Sequence, residues 1–231
     1  MERTMNQPVL NMGAGRALPM GFDIRVVHLL HSRVLHDLAG PVGAISNGLE
    51  LAKESGGALD ADAMQLVAMS ARDLSERVRF YRVAFGLAPG AIKTLREGRD
   101  LLTPAVIGPR NKIVWPEADG PAAWPFGDES LKLLLNMIAL GAESLPRGGA
   151  IEVFVEPSQQ QLKFTVVAQG QGVRVEEATL AAMMGTASLE ELTPRSVHGY
   201  FTARIAESLG GRLTLDYPQP GMLAHRVALP I

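Results

Sequence analysis

The stretch from His36 to Leu51 reads HDLAGPVGAISNGLEL and lies within a longer helical pattern. Apolar residues recur at steps of three or four, or multiples of them, which is the period of one helix face. The pattern predicts a single helix from Phe22 to Glu54, whose apolar stripe comprises Ile24, Val27, Val34, Leu38, Val42, Ile45 and Leu49. Pro41 lies inside this helix, where proline removes a backbone hydrogen bond and costs about 3 kcal/mol. That cost indicates that the local distortion serves a purpose.

A second helix is predicted after a turn. Ser55-Gly56-Gly57 ends the first helix, and Asp60 can cap the next. The second helix carries an apolar seam at alternating steps of four and three, comprising Val67, Ala71, Leu74, Val78, Tyr81 and Phe85. Two antiparallel helices with one stripe each bury too little apolar surface alone. We therefore expect the hairpin to pair with a second copy as a four-helix bundle, or to dock on another domain.

The pattern changes after Gly86 to Gly90, a run of helix-stopping residues that predicts a domain boundary. We expect a mobile tail over residues 1–20, a helical hairpin domain over 21–88 and a second domain over 89–231. The helices and strands predicted in the second domain are Ile92–Leu102, Lys112–Trp115, Asp128–Ser144, Ala150–Glu156, Gln161–Ala168, Val175–Met184, Arg195–Leu209, Gly211–Tyr217 and Met222–Leu229. Their order, with helices between pairs of strands, predicts a two-layer α/β sandwich with a mixed sheet.

Composition narrows the class of function. The chain has 231 residues, of which 47% are hydrophobic, and a formal net charge of −2, so it lacks the basic footprint of a nucleic-acid-binding protein. It has no cysteine, which excludes disulfides and thiolate chemistry and suits a reducing cytoplasm. The sequence contains no apolar run of about 18 residues and no signal-peptide pattern at its start. We expect a cytoplasmic protein that binds neither nucleic acid nor membrane.

The histidines of the first helix differ in their predicted positions. His36 lies about 160° from the centre of the apolar stripe, so we expect it to be exposed on the outside of the hairpin. His31 falls on the stripe and is expected to be packed or hydrogen-bonded within the hairpin, with His28 at the flank. An exposed histidine alone indicates little, but Asp37 follows His36 directly and Pro41 distorts the next turn.

The run from His36 to Pro41, His-Asp-Leu-x-x-Pro, resembles the phosphoacceptor box of two-component histidine kinases. The longer run from His36 to Leu51 is similar to the ChpT-type histidine phosphotransferases of alphaproteobacteria. The resemblance implies an α+β fold, in which an antiparallel helical hairpin is followed by a degenerate histidine-kinase-type ATPase α/β sandwich. The hairpin is implied to dimerise, so that two copies form a four-helix bundle. The resemblance also implies a phosphorelay histidine phosphotransferase, in which His36 accepts a phosphoryl group and Asp37 orients or polarises its imidazole.

The same resemblance locates a lost nucleotide site. Leu131 to Gly149 is similar to the asparagine box of kinase ATP domains, and its magnesium-binding asparagine falls on Leu140, with Asn136 one turn earlier. Leucine has no oxygen for a hard cation. Ala168 stands where the adenine-binding aspartate is expected, although Gly170 and Gly172 remain; a lone pair of glycines favours a tight turn. The kinase lid glycines are also missing, since the run before the final helix reads Ser196-Val197-His198-Gly199-Tyr200.

The resemblance implies two protein partners: the receiver domain of a hybrid histidine kinase, which donates phosphate, and the receiver domain of a response regulator, which accepts it. We expect these receivers to dock around His36 on Leu38, Gly40, Pro41, Arg72 and Arg79. The chain is expected to form a homodimer and to bind no cofactor or metal of its own, with Mg²⁺ on the receiver. His28, His198 and His225 have no partner set that the sequence can define.

Two alternatives stay open at the level of sequence. The chain could be an ATP-dependent histidine kinase, which the residues at the positions of Leu140 and Ala168 oppose. It could also be a non-catalytic dimeric adaptor that binds a receiver without taking phosphate, which the pairing of His36 with Asp37 opposes.

Overall fold

The structure is a computed structural model and describes residues 23–54, 61–87, 90–115 and 127–231. The predicted mobile tail, the turn at Ser55-Gly56-Gly57 and the cap at Asp60 lie outside these ranges. So does the predicted boundary between residues 88 and 89, and the division of the chain into domains stays a prediction.

Two long helices form the hairpin. Helix α1 spans Ile24–Glu54 and continues through Pro41, and helix α2 spans Ala61–Ala84. The helices approach closely at Gly48, because a Cβ atom there would lie 2.3 Å from Cγ2 of Val67. The long helix predicted from the apolar period is therefore confirmed over the described residues.

The second domain is a two-layer sandwich. Its five strands are β1 Asn111–Val114, β2 Gly149–Pro157, β3 Gln161–Gln169, β4 Thr214–Asp216 and β5 Met222–Pro230. The sheet order is β1-β2-β3-β5-β4, with β1 parallel to β2 and the other pairs antiparallel. The helices are α3 Leu95–Asp100, α4 Pro104–Ile107, α5 Asp128–Glu143, α6 Glu177–Met184 and α7 Val197–Ser208. The predicted mixed sheet is confirmed.

Several predicted boundaries differ from the structure. The helix expected over Ile92–Leu102 is limited to α3, which Thr94 caps by accepting from the Glu97 N–H at 3.1 Å. Helix α4 was not predicted, because one turn carries no helical period. Helices α6 and α7 each begin two residues later than expected, and β1 begins and ends one residue earlier.

Helix α5 is the centre of the second domain. Its residues 130–141 are all buried, since the helix packs against the sheet, α7 and α2. Phe80 and Ala84, near the end of α2, belong to the same hydrophobic core. The start of α1 docks nearby, where Val26 packs with Ala182 and Val197. Both helices of the hairpin are therefore anchored on the sandwich.

The seam predicted for α2 is divided between two environments. Tyr81 and Phe85 pack against the core of the second domain, whereas Val78 is 40% exposed. Docking on another domain therefore accounts for the end of the seam.

The prediction that His31 is packed or hydrogen-bonded within the hairpin is wrong about its position, although its ring has a partner. His31 is exposed, and its Nδ1 lies 3.0 Å from the carbonyl oxygen of Val27 one turn earlier. The reason is that α2 ends before it reaches the level of His31 on α1. Asp37 of α1 contacts Tyr81 of α2, and α2 ends at Ala84, so residues six positions before Asp37 have no part of α2 opposite them.

Candidate phosphoacceptor site

The imidazole of His36 lies on the outer side of α1, with 88% of its side chain exposed. This confirms the exposure predicted from the helical period. Its Nδ1 is 3.3 Å from Oδ1 of Asp37. A carboxylate oxygen accepts hydrogen bonds, so the contact favours the tautomer that carries its proton on Nδ1. Nε2 then keeps a free lone pair, which is what a nucleophilic histidine needs.

Asp37 is fixed from two sides. The Tyr81 hydroxyl donates to Oδ2 of Asp37 at 2.6 Å, and Nε of Arg33 lies 4.0 Å from the same oxygen. Burial, together with the hydrogen bond to Asp37 and its charge, raises the pKa of Tyr81 well above its ordinary value. The phenol therefore keeps its proton and acts as a donor. Because Oδ1 contacts His36 and Oδ2 contacts Tyr81, the plane of the carboxylate is set.

Arg33 connects the hairpin to the second domain. Its Nη2 donates to Oε1 of Glu143 at the end of α5, and its Nη1 donates to the carbonyl oxygen of Arg195 at 3.3 Å. Arg33 precedes Asp37 by one helical turn, so both side chains lie on the same face of α1. A single guanidinium thus lies between the carboxylate beside His36 and a carboxylate of the sandwich.

Glu143 contacts the buried side chain of His198, which in turn contacts the buried side chain of Asn136. Its Oε1 lies 2.8 Å from Nδ1 of His198, and Nε2 of His198 lies 3.0 Å from Oδ1 of Asn136. Asn136 donates through Nδ2 to the carbonyl oxygens of Ala84 at 3.0 Å and Lys132 at 2.9 Å. Together these contacts form the polar chain, which comprises Asp37, Arg33, Glu143, His198 and Asn136.

The proton positions along the polar chain follow from these contacts. Nδ2 of Asn136 donates to two carbonyls, so its Oδ1 must accept, and Nε2 of His198 must carry a proton. Nδ1 of His198 faces a carboxylate oxygen, and two lone pairs cannot bond, so a further proton lies between His198 and Glu143. Partial enclosure raises the pKa of Glu143, but the charge and hydrogen bond of His198 and the Arg33 guanidinium outweigh it and hold that pKa below its ordinary value.

A cavity of about 810 Å³ opens between α1 and the second domain. His36, Asp37 and Arg33 lie on its hairpin side, and Leu140 and Glu143 lie on the opposite side. Leu140 is 3% exposed and offers no polar side-chain atom toward a cation or nucleotide. Over the described ranges, no group of three or more His, Asp and Glu side chains is arranged to hold a metal ion.

The remaining nucleotide-box positions have structural roles. Ala168 is fully buried in β3, paired with Ile151 of β2. Gly170 and Gly172 form the expected tight turn, in which Gly172 has a φ of +72°. A Cβ atom at Gly170 would lie 2.7 Å from the carbonyl oxygen of Gly148, so the close approach of two loops requires glycine there.

The residues expected to contact a receiver lie at different distances from His36. Gly40 is exposed, and Leu38 and Pro41 are half-buried within five residues of His36 on α1. Arg79 and Arg72 are both exposed on α2. Arg79 lies two residues from Tyr81, which contacts Asp37, whereas Arg72 lies nine residues from Tyr81, about 13 Å along the helix axis.

Sequence patterns missed the residues that support Asp37. Tyr81 was assigned only to the apolar seam, although a buried tyrosine hydroxyl usually has a partner. Arg33 stands four residues before Asp37, which is the one signal that could have linked them. Glu143 and His198 carry no local signal, because their contacts join residues 110 and 55 positions apart.

The chain is similar to known phosphotransferases in sequence and in fold. Residues 95–221 match the family model of the histidine phosphotransferase C-terminal domain. The chain is 36% identical to the protein phosphotransferase ChpT of Brucella abortus over 189 residues, which are 81% of this chain and 88% of that protein. It superposes on a bacterial phosphotransferase solved at 1.7 Å with a TM-score of 0.75 and 33% identity, covering 91% of this chain and 100% of the other.

These matches, on a helical hairpin docked on a two-layer sandwich, define a histidine phosphotransferase of a phosphorelay and not an ATP-dependent kinase. More specifically, the chain belongs to the histidine phosphotransferase family that includes the Brucella protein. Over the described residues, no helix is long and apolar enough to cross a bilayer.

Proposed function

We propose that His36 is the phosphoacceptor and that it carries phosphate between two receiver domains. The observation that supports this most strongly is the exposed imidazole whose Nδ1 contacts Asp37 at 3.3 Å, while Asp37 is itself held by Tyr81 and Arg33. The donor is the aspartyl phosphate on the receiver of a hybrid kinase. The acceptor is the aspartate on the receiver of a response regulator.

The transfer uses few protein groups. Nε2 of His36 attacks phosphorus in line, the N–P bond forms, and the P–O bond to the donor aspartate breaks with its electron pair on that carboxylate. The imidazole ring gains positive charge, which the Asp37 carboxylate at Nδ1 stabilises. The reverse sequence of steps moves the phosphoryl group to the second receiver. We place the Mg²⁺ on the acidic cluster of the receiver.

Docking is proposed around the same turn of α1. Gly40 lacks a side chain and is exposed one turn after His36, which allows close approach of a partner. Leu38 and Pro41 supply half-buried apolar surface, and Arg79 and Arg72 supply positive charge for an acidic receiver pocket.

A homodimer is part of this proposal. The hairpin leaves large apolar side chains exposed on both helices, and a second hairpin would cover them in a four-helix bundle. These side chains are Leu35, Val42, Leu49, Leu51, Met64, Leu66, Met69 and Val78. Light scattering at micromolar concentration tests the proposal, and the monomer mass would contradict it.

The chain offers a matched control for the phosphoacceptor. His28 and His31 are exposed on the same helix as His36 but do not contact Asp37 in the structure. We expect label from ATP to reach the protein only when a hybrid kinase with its receiver is present. His36→Ala abolishes labelling, and His31→Ala keeps it.

Two outcomes would contradict the proposal. Label from ATP alone would show kinase activity. Receiver binding without any label, from a kinase that labels its own receiver, would show a non-catalytic adaptor.

A further inference from the structure

Two buried polar residues of the second domain, Asn136 and His198, are linked to the hairpin through hydrogen bonds to Ala84 and Glu143. His198 is 1% exposed, and its two ring nitrogens contact Glu143 and Asn136. Burying such groups is costly unless each is hydrogen-bonded. A sandwich that served only as a scaffold could fill this volume with apolar side chains at lower cost.

Charges alternate along the polar chain. Asp37 is an acceptor of Tyr81, Arg33 is a fixed cation, and Glu143 is held below its ordinary pKa as a carboxylate. Burial lowers the pKa of His198 although Glu143 opposes this, so the shared proton adds a hydrogen bond to Glu143 rather than a further charge. Each charge therefore has an opposite neighbour, and Arg33 stands between two carboxylates.

The position of Arg33 depends on Glu143. Arg33 lies 4.0 Å from Asp37, a charge contact that leaves its orientation loose, whereas Nη2 donates directly to Glu143. The bond to Glu143, together with the bond from Nη1 to the carbonyl oxygen of Arg195, therefore sets where the guanidinium lies. His198 and Asn136 set where Glu143 lies, and Asn136 is tied to the carbonyl of Ala84 at the end of α2.

We propose that Glu143 and His198 are positioning residues for phosphoryl transfer, acting through Arg33 to orient Asp37 and so the imidazole of His36. This inference rests on the proposed role of His36. In this role the sandwich contributes to phosphoryl transfer without binding nucleotide. Neither residue contacts the phosphoryl group, so their effect is on the geometry and tautomer of the nucleophile.

The test compares Glu143→Gln with Glu129→Gln. Both substitutions replace a glutamate of α5 by its neutral isostere, but among the described residues Glu129 pairs only with Lys132 on its own helix, at 2.6 Å. Single-turnover transfer from a phosphorylated receiver is measured over a range of receiver concentrations. We expect Glu143→Gln to slow the maximal rate about tenfold, with the half-saturating concentration unchanged within about twofold, and Glu129→Gln to match the natural protein.

A double-mutant cycle with Arg33→Met tests whether Glu143 acts on Asp37 through Arg33. If Glu143 acts through Arg33, the double variant loses no more rate than Arg33→Met alone. Nitrogen-15 NMR of the His36 ring gives a second readout, since weaker positioning lowers the share of the tautomer protonated on Nδ1. His198→Gln, which can still donate to Glu143, is expected to retain more rate than His198→Leu.

Failure of this inference is distinct from failure of the proposed function. If Glu143→Gln transfers phosphate at the natural rate while His36→Ala is inactive, the positioning role is overturned and the phosphoacceptor role of His36 stands. A change confined to the half-saturating concentration would also overturn it, since that marks docking. Label on His36→Ala would instead overturn the proposed function.

Discussion

The hydroxyl of Tyr81 lies 2.6 Å from Oδ2 of Asp37, and these two residues belong to different helices of the hairpin. The contact ties the residue beside His36 to α2, just as Arg33 ties it to the second domain. Among the hydrogen bonds of the described residues, Asp37 is the one partner of the His36 ring. The orientation of an otherwise exposed imidazole therefore depends on how firmly Asp37 is held.

Tyr81→Phe tests this dependence. The substitution removes one oxygen and leaves the stacking of the ring on Phe85, at 5.3 Å between centroids. We expect phosphoryl transfer to His36 to slow by about three- to tenfold, and the free energy of unfolding to fall by about 1–2 kcal/mol. Stopped-flow transfer and urea unfolding measure the two effects.

Tyr217→Phe is the control, because Tyr217 is exposed on the second domain. An unchanged transfer rate in Tyr81→Phe, with the expected loss of stability, would show that the hydroxyl supports folding alone.

The hairpin and the His-Asp pair could be predicted because their signals are local. The helical period fixes which side of α1 carries His36, and Asp37 is its neighbour in sequence. The polar chain could not be predicted, because His198 and Asn136 are 62 positions apart and meet only once α5 and α7 pack together. His31 was misplaced for a related reason: the period gives the face of a helix but not where its partner helix ends.

His225 makes the fold sensitive to acid. It is fully buried in β5 opposite Val166, and neither ring nitrogen has a hydrogen-bond partner among the described residues. Burial lowers its pKa to about 4, against an ordinary value near 6.5. Between these values the unfolded chain binds a proton that the folded protein does not, so stability falls as the pH drops from about 6.5 to 4.

The expected size of this effect is about 3 kcal/mol, from a pKa difference of about 2.5. The free energy of unfolding of both proteins is measured with urea at pH 7.5 and at pH 4. We expect its loss between the two pH values to be smaller in His225→Leu than in the natural protein, by about 3 kcal/mol. At pH 7.5 the two should lie within about 1–2 kcal/mol of each other, since leucine removes an unpaired polar group. Parallel losses in both proteins would contradict the assignment, and His28→Leu, at an exposed site, is the control.

Two glycines of α1 should respond in opposite ways to the same substitution. At Gly48 a methyl group would collide with Val67, so Gly48→Ala is expected to destabilise the hairpin by about 1–3 kcal/mol. At Gly43 nothing lies within 4 Å of the new atom, so Gly43→Ala is expected to stabilise the helix by about 0.5–1 kcal/mol. Thermal unfolding of both variants gives the comparison, and equal shifts would contradict the close approach at Gly48.

Gly40 differs from Gly43 because it precedes Pro41, although a Cβ atom there also meets nothing within 4 Å beyond its chain neighbours. The ring of Pro41 disfavours helical geometry in a preceding residue that carries a side chain. Glycine relieves this conflict, which fits a helix that continues through Pro41. We therefore expect Gly40→Ala to lack the gain in stability of Gly43→Ala, and an equal gain in thermal unfolding would contradict this role of the Gly-Pro pair.

The two arginines of α2 should differ in their effect on docking. Arg79 is exposed two residues from Tyr81, near the level of Asp37, while Arg72 lies about 10 Å farther along α2. Exposed charges at an interface act mainly on the association rate, and salt screens them over about 10 Å at 0.1 M. We expect Arg79→Ala to slow receiver association severalfold at low salt, with a smaller effect for Arg72→Ala. The rates of both variants and the natural protein should converge near 0.5 M salt, and a larger effect of Arg72→Ala would place the receiver nearer the far end of the hairpin.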